Sequence, residues 1–450
     1  MQISTLISFL FGNRQAILTA ANARGTFWLG LLFVTSAGFA REYDAEDLTR
    51  EPWYVLLPLF ASLGTSLLLF LLLCLAYSPL RPPNEPPVVP FWTRSSIPFR
   101  RRYGAFLGMY WLTAPMAWLY AIPVERFLTP VQAVGVNLSL LGIVSLWRVL
   151  LMTRIVSVIF SRSIVASFFV VMFFADNVVL FLGGCAPVPL LNVMGGIRLT
   201  ESETLMASVT FGVVMLALFT WPLWLVGAFI ASLRMYRGTR CSWEEVLTTE
   251  HASSITQPLW VLAAAAFLIW AAILPFTQGE QRNRWYVEDE LQFGNFKTAI
   301  TYMSRRKRGD FPPHWDPPPH LSYGAHEPPL IHVFLYSATQ PDVAPWVQDI
   351  FRQKLELQAD ANARVYYQNA IQLNTLDDKQ LEQYVLLLEA NSYGRQMATY
   401  HKYEINITLD GLQFNGELIE LSMERRSLLQ RILDIVPAQE EPVAGPGLDF

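Results

Sequence analysis

The run IVASFFVVMFFADNVVLFLGG begins at Ile164 and is apolar almost without interruption over residues 164–183. Twenty such residues are what a helix needs to cross the roughly 30 Å hydrocarbon core of a bilayer. Further hydrophobic segments cover residues 26–40, 53–77, 103–122, 131–153, 204–232 and 257–276. The pattern predicts a multi-pass chain of about seven spans, because only backbone that satisfies its own hydrogen bonds is tolerated in lipid. Residues 26–40 are short for a crossing and make the weakest of the seven.

Composition supports this reading and divides the chain. Mean hydropathy is +0.30, with 52% hydrophobic and only 16% charged residues, too apolar for an ordinary soluble enzyme. Residues 1–279 carry 17 arginines, no lysine and 13 acids; residues 280–450 carry 16 basic and 24 acidic residues. The field of so acidic a tail repels phosphate, so nucleic acid is not an expected partner. Cys74, Cys185 and Cys241 are far apart and offer neither a disulfide framework nor zinc spacing. No phosphate-binding glycine loop, zinc-protease helix, nucleophile elbow or dinucleotide fingerprint occurs, so no cofactor and no catalytic residue is assigned.

The expected order is an amphipathic interfacial helix over 1–25, a transmembrane bundle over 26–276, an amphipathic helix over 277–310, a proline-rich linker over 311–329, an α+β domain over 330–436 and a disordered tail over 437–450. In the first segment Ile3, Leu6, Ile7, Leu10, Phe11, Ile17, Leu18 and Ala21 recur at helical spacing. Leu291, Phe293, Phe296, Ile300 and Met303 do the same over residues 288–307. Beyond the prolines, residues 330–336 and 364–373 read as strands. Asp342 and Thr375 start helices, and residues 403–409 and 413–421 flank a hairpin turn at Asp410-Gly411. A last helix over 422–436 buries Leu428, Leu429, Ile432 and Leu433. The expected fold is thus an α-helical transmembrane bundle followed by an α+β soluble domain.

Arginine placement sets the expected orientation. Arg14, Arg24, Arg81, Arg94, Arg100, Arg101, Arg102, Arg154, Arg162, Arg234, Arg237 and Arg240 fall on one side, and Arg41, Arg50, Arg126 and Arg198 on the other. The richer side is taken as cytoplasmic. This leaves the N-terminus inside and the C-terminal domain extracytoplasmic.

Asp176 is the acid placed inside a span. Such a carboxylate must face the bundle, sit in a wet cavity or be paired. With Asn177, Asn137 and Asn192 it forms the candidate intramembrane polar site, read either as a cation- or proton-handling group or as a hydrogen bond that joins two helices. Arg148 sits closer to the inner end of its span and is not expected to pair with it. Gly104 and Gly108 match the small-xxx-small spacing that lets helices approach. His314, His320 and His326 recur every six residues and are candidate metal ligands, against which stands their separation of roughly 19 Å in an extended proline-rich chain.

Two likenesses add expectations. The stretches ARGTFWLGLLFVTSAGFAREYDAEDLTREPW, YGAFLG at Tyr103–Gly108, AIPVERFLTP and GDFPPHWDPPP resemble uncharacterised multi-pass proteins of planctomycete-type bacteria over most of the chain. That resemblance implies a bacterial membrane setting and no activity. The segment YEINITLDGLQFNGELIELSMERRSLLQRILDIV, residues 403–436, is similar to the opening of the periplasmic domain of TolR-type biopolymer-transport proteins. It implies a small mixed domain that binds envelope components, and no residue role is carried over from it. The first functional expectation is a membrane scaffold or sensor holding an extracytoplasmic protein-interaction domain, with the bilayer and a protein as partners. The others are a transporter or ion-conducting component using Asp176, and a membrane enzyme.

Overall fold

The computed structural model describes residues 1–43, 47–77, 97–185, 201–233, 243–247, 254–319, 328–364, 373–409 and 421–436. It divides into two compact units, Met1–Gln281 and Arg282–Phe450. Among the described residues both are helical, with no strand beyond an isolated bridge between Arg24 and Ser254.

Unit 1 opens with α1 (Ile3–Leu10) and α2 (Arg14–Asn22), then α3 (Thr26–Glu42), α4 (Trp53–Ala76), α5 (Phe99–Trp111), α6 (Pro130–Ile159), α7 (Ile164–Cys185), α8 (Glu201–Leu233), the short α9 (Trp243–Val246) and α10 (Gln257–Gln292). The single helix expected over the first segment is broken at Gly12, whose φ of 73° suits glycine. Asn13 then caps α2 by accepting the Ala16 N–H at 3.1 Å. Among the described residues, six helical segments are long and apolar enough to cross a membrane: Trp53–Ala76, Phe99–Arg126, Pro130–Ile159, Ile164–Cys185, Glu201–Ser232 and Gln257–Gln292. The chain is therefore a multi-pass membrane protein, with six such helices rather than the seven expected.

The difference lies in α3. Its 17 residues reach roughly 25 Å, shorter than the six, yet it joins the same two ends of unit 1 as α10, with one side packed and Trp28 on the other 62% exposed. Leu29, Gly30, Phe33, Val34, Ser36, Ala37, Gly38 and Ala40 are all buried. At one end, Thr256 beside Met1 and Ile255 beside Gly25 place its start near the head of α10. At the other, Thr277 Oγ1 and Gln278 Nε2 donate to the Tyr43 carbonyl at 2.6 and 2.7 Å.

Close approach is made by glycines. A Cβ on Gly30 would lie 2.8 Å from Trp111 Cβ and 3.0 Å from the Gly108 carbonyl; one on Gly108 would lie 3.0 Å from Thr26 Cγ2. A Cβ on Gly38 would lie 2.7 Å from the Val55 carbonyl. Hydroxyls and indoles reinforce these contacts. Trp111 Nε1 donates to Ser62 Oγ at 2.8 Å, Trp118 Nε1 to Ser36 Oγ at 3.1 Å, and Tyr110 and Tyr103 meet Thr65 and Ser66 on α4. The segment after α5 passes into 3-10 turns at Ala114–Ala121 and Val124–Arg126, because Pro115 removes an N–H and crowds the carbonyl four residues back.

In unit 2, α10 runs to Gln292. Gly294 with φ 78° turns the chain, and α11 (Phe296–Ser304) follows. The helix expected over 288–307 is thus two pieces, with Leu291, Ile300 and Met303 buried and Phe293 exposed. The α+β domain is not seen. Residues 330–336, read as a strand, lie in α12 (Leu330–Thr339), and residues 403–409 lie in α15 (Gly394–Leu409). Between them come α13 (Pro345–Arg364) and α14 (Asp378–Ala390), and α16 (Met423–Ile435) ends the unit. The other strand and the far arm of the hairpin, with Asp410 and Gly411, fall mainly outside the described residues.

Helices α12 and α13 pair, α14 and α15 pair, and the pairs stack: α12 meets α14, α13 meets α15, and α16 packs on both α14 and α15. The core is shared along the stack by Phe334, Val347, Phe351, Leu381, Tyr384, Val385, Ala398 and Ile405. Residues 311–319 are fastened to this unit. Phe311 is buried and stacks on Trp315 at 4.9 Å, and Arg308 donates to the carbonyls of Pro312 and Trp315 at 3.1 and 3.0 Å. Lys354, itself buried, donates to Asp316 Oδ1 at 2.7 Å and to the Pro317 carbonyl.

Replacing Gly108 with Leu should lower thermal stability in detergent by about 1–3 kcal/mol through overpacking against α3. Gly104→Leu should cost little, since nothing lies within 4 Å of a Cβ there. Equal losses from the two would remove the argument for the crossing.

Candidate functional site

The α7–α8 pair carries the intramembrane polar residues. Asp176 is buried and faces α8, where Thr220 Oγ1 donates to its Oδ2 at 2.7 Å. Thr220 also donates to the Leu216 carbonyl one turn back, at 2.9 Å. Trp224, one turn further along α8, interacts with the same carboxylate, although its buried Nε1 makes no hydrogen bond of normal geometry. Asn177 accepts from Trp221 Nε1 at 3.3 Å and donates to the Phe173 carbonyl at 2.6 Å. Phe168 and Phe169 pack their rings on Trp224, and Phe173 on Trp221. The site is thus a two-helix seam in which adjacent polar residues of α7 meet hydroxyl and indole donors of α8 among aromatic rings.

Asn137 belongs to another group. Its amide donates to Glu125, at the end of unit 1 where Arg126 and Glu280 form an ion pair at 3.1 Å. The structure therefore brings Asp176 and Asn177 to one seam and places Asn137 elsewhere. Asn192 lies outside the described residues. Arg148 sits 5.3 Å over the Tyr110 ring. Of the glycines, Gly108 is at the α3 crossing and Gly104 faces open space. His314 is described, with φ 57°, whereas His320 and His326 lie outside the described residues. Among the described residues no three His, Cys, Asp or Glu side chains gather as a metal site.

Unit 2 contains a polar chain that the sequence reading missed. Tyr384 on α14 is completely buried, and its hydroxyl lies 2.9 Å from His401 Nε2 on α15. His401 Nδ1 lies 3.2 Å from Glu404 Oε2, and Glu404 Oε1 accepts the Leu373 N–H at 2.8 Å. A carboxylate accepts, so the network assigns the ring proton to Nδ1 and lets Nε2 take the Tyr384 O–H. Burial pushes the Tyr384 hydroxyl far above its ordinary range, and the Glu404 charge adds to the effect. The turn Leu373–Thr375 is held from a further direction by Arg425, which donates to the Leu373 and Leu376 carbonyls at 3.0 Å each and to Asp378 Oδ1 at 2.8 Å. Chemically this is a buried hydrogen-bonded chain from the Leu373–Thr375 turn to the core. The signal lay in the spacing of His401, Glu404 and Thr408, one buried helical face written in polar residues.

A comparison with protein-family models, with curated proteins and with solved structures finds no match to the chain.

Thr220→Val should destabilise the bundle by about 0.6–2 kcal/mol, the range for an interhelical hydrogen bond in a membrane. Combined with Asp176→Leu it should cost less than the sum of the two single changes, as read by a double-mutant cycle on unfolding in detergent; additive losses would mean the two do not act together.

For Tyr384 the folded state holds the proton more tightly than the unfolded chain. Its contribution to stability is therefore complete below the ordinary tyrosine value of 10.0 and is lost as pH rises above it. Unit 2 should unfold at alkaline pH, and Tyr384→Phe should flatten that dependence while costing about 1–3 kcal/mol at neutral pH by leaving His401 without its donor. An unchanged alkaline profile in the variant would exclude Tyr384 as its source.

Proposed function

We propose that the chain is a membrane scaffold or sensor: the helical bundle anchors the C-terminal unit, which binds a protein partner. The observation that carries this reading is the stack of helical hairpins in unit 2. Stacked hairpins bury a continuous core against their neighbours and leave extended helix faces for contact. On α14 the open side includes Lys379, Glu382, Gln383 and Leu386, a mixed face with one large apolar side chain that is 51% exposed.

The proposed setting is a bacterial cytoplasmic membrane, as the likeness to planctomycete-type membrane proteins implies. Arg14, Arg24, Arg154 and Arg162 lie on segments at the same end of unit 1 as Ser254 and Thr256. Tyr43, Glu125, Arg126 and Glu280 lie at the end where Gln278 meets Tyr43. Under the positive-inside rule the arginine end is cytoplasmic, and the chain leaves unit 1 at Gln281 on the other side. The C-terminal unit is then extracytoplasmic.

The transport alternative has weaker support. Asp176 is engaged by Thr220 within one helix pair, and the nearest polar groups described continue the seam rather than a path along the bundle.

Two measurements separate the readings. A photo-crosslinking residue in place of Leu386 in living cells should yield a discrete protein adduct, weakened by Glu382→Lys on the same face; no adduct would sink this reading. Proteoliposomes loaded with a pH dye should show the same proton flux for the wild type and Asp176→Asn. A flux that vanishes in the variant would favour transport instead.

A further inference from the structure

Helix α1 contains no charged side chain, and the first charged side chain is Arg14. One side of α1 is packed, with Leu6 and Phe9 buried; on the open side Ile3, Ile7 and Phe11, spaced four apart, are 38%, 52% and 72% exposed. A helix apolar on both its packed and its open face is poorly suited to water. Its eight residues reach roughly 12 Å, too short to cross a bilayer.

The stripe continues into the outward apolar surface of a spanning helix. Phe11 meets Trp147 of α6 edge on at 5.3 Å, Trp147 Nε1 donates to the Leu10 carbonyl at 3.0 Å, and Ile143, Leu146 and Leu150 around Trp147 are exposed. An indole whose N–H is satisfied and whose ring lies on apolar surface is typical of the membrane–water boundary.

At the end of the stripe one guanidinium holds the turn and a second arginine, exposed, follows it in the chain. Arg154 Nε donates to the Gly12 carbonyl at 3.1 Å, and Arg14 opens α2 two residues later. Among the described residues neither forms an ion pair with a carboxylate. Guanidinium groups at the rim of an apolar stripe match the chemistry of an anionic lipid, whose phosphate takes charge-assisted hydrogen bonds while its chains lie on apolar side chains.

We propose that α1 lies in the membrane–water boundary and that α1 with the Gly12 turn binds an anionic glycerophospholipid, its acyl chains along Ile3, Ile7 and Phe11 and its phosphate at Arg14 and Arg154. The lipid is a structural ligand of the bundle end rather than a substrate.

The test uses the full chain in nanodiscs of phosphatidylcholine alone or mixed with phosphatidylglycerol. The anionic mixture should raise Tm by about 2–4 °C, the size of shift a bound ligand gives a protein of a few hundred residues. Arg14→Gln should cut that rise by half or more and leave the Tm in phosphatidylcholine unchanged. Equal Tm values in the two lipids for the wild type, or a full rise in the variant, overturn the proposal. Inorganic phosphate added to phosphatidylcholine nanodiscs should not reproduce the rise; if it does, the site takes phosphate and not lipid. Separately, a nitroxide on Ile7→Cys, with Cys74, Cys185 and Cys241 replaced, should collide with oxygen in preference to a water-soluble nickel complex. The opposite preference overturns the placement of α1.

Discussion

Close packing of α3 against α4 and α5 is the contact on which unit 1 depends. A helix inside an apolar bundle gains nothing from burying more hydrocarbon against hydrocarbon, so its attachment rests on shape and on hydrogen bonds. At Gly30 and Gly38 carbonyl oxygens sit 3.0 and 2.7 Å from where a Cβ would be, and at Gly108 the Thr26 methyl sits 3.0 Å away. Ser36 and Ser62 then take the indole N–H groups of Trp118 and Trp111. Phe60, Leu146, Phe181 and Phe219 of the spanning helices point outward, where lipid is their solvent, while Phe70, Leu73 and Phe106 fill the bundle core. The same economy governs the α7–α8 seam, where Asp176 and Thr220 place one strong polar contact within an otherwise aromatic interface.

Unit 2 is held together differently. Its hairpins bury aromatic and branched side chains away from water, and its polar groups tie loops to helices. Glu404 and Arg425 grip the Leu373–Thr375 turn from two sides, and Lys354 and Arg308 hold the proline-rich segment down. That segment, over the residues described, is therefore part of the folded unit, although its composition reads as a linker.

The membrane half was legible because a run of twenty apolar residues fits little besides a bilayer. Its limits were set at α3, where glycines and serines that serve packing lower the hydropathy of a buried helix. Unit 2 was misread for a related reason. LIHVFLY is buried on nearly all sides, with Leu330, Ile331, Val333, Phe334 and Leu335 all in the core, and a helix buried all round shows no helical period. In YEINITL the alternation of apolar residues imitates a strand. The true buried face runs through His401, Glu404, Ile405 and Thr408, and a hydrophobicity pattern cannot see a core face that is polar. Asp176 stood out in the sequence because a lone acid in a span is conspicuous; its partner Thr220 did not, because a threonine in a span is ordinary.

Stacking of α12 with α14 and of α13 with α15 gives unit 2 a grain. The two hairpins touch along both helices, and their buried side chains form one continuous core. Such a stack needs a terminal helix to shield its last apolar face. Helix α16 meets that need: Leu428, Leu429 and Ile432 close the row, while Glu424, Arg426, Ser427 and Gln430 turn a hydrophilic side away from it.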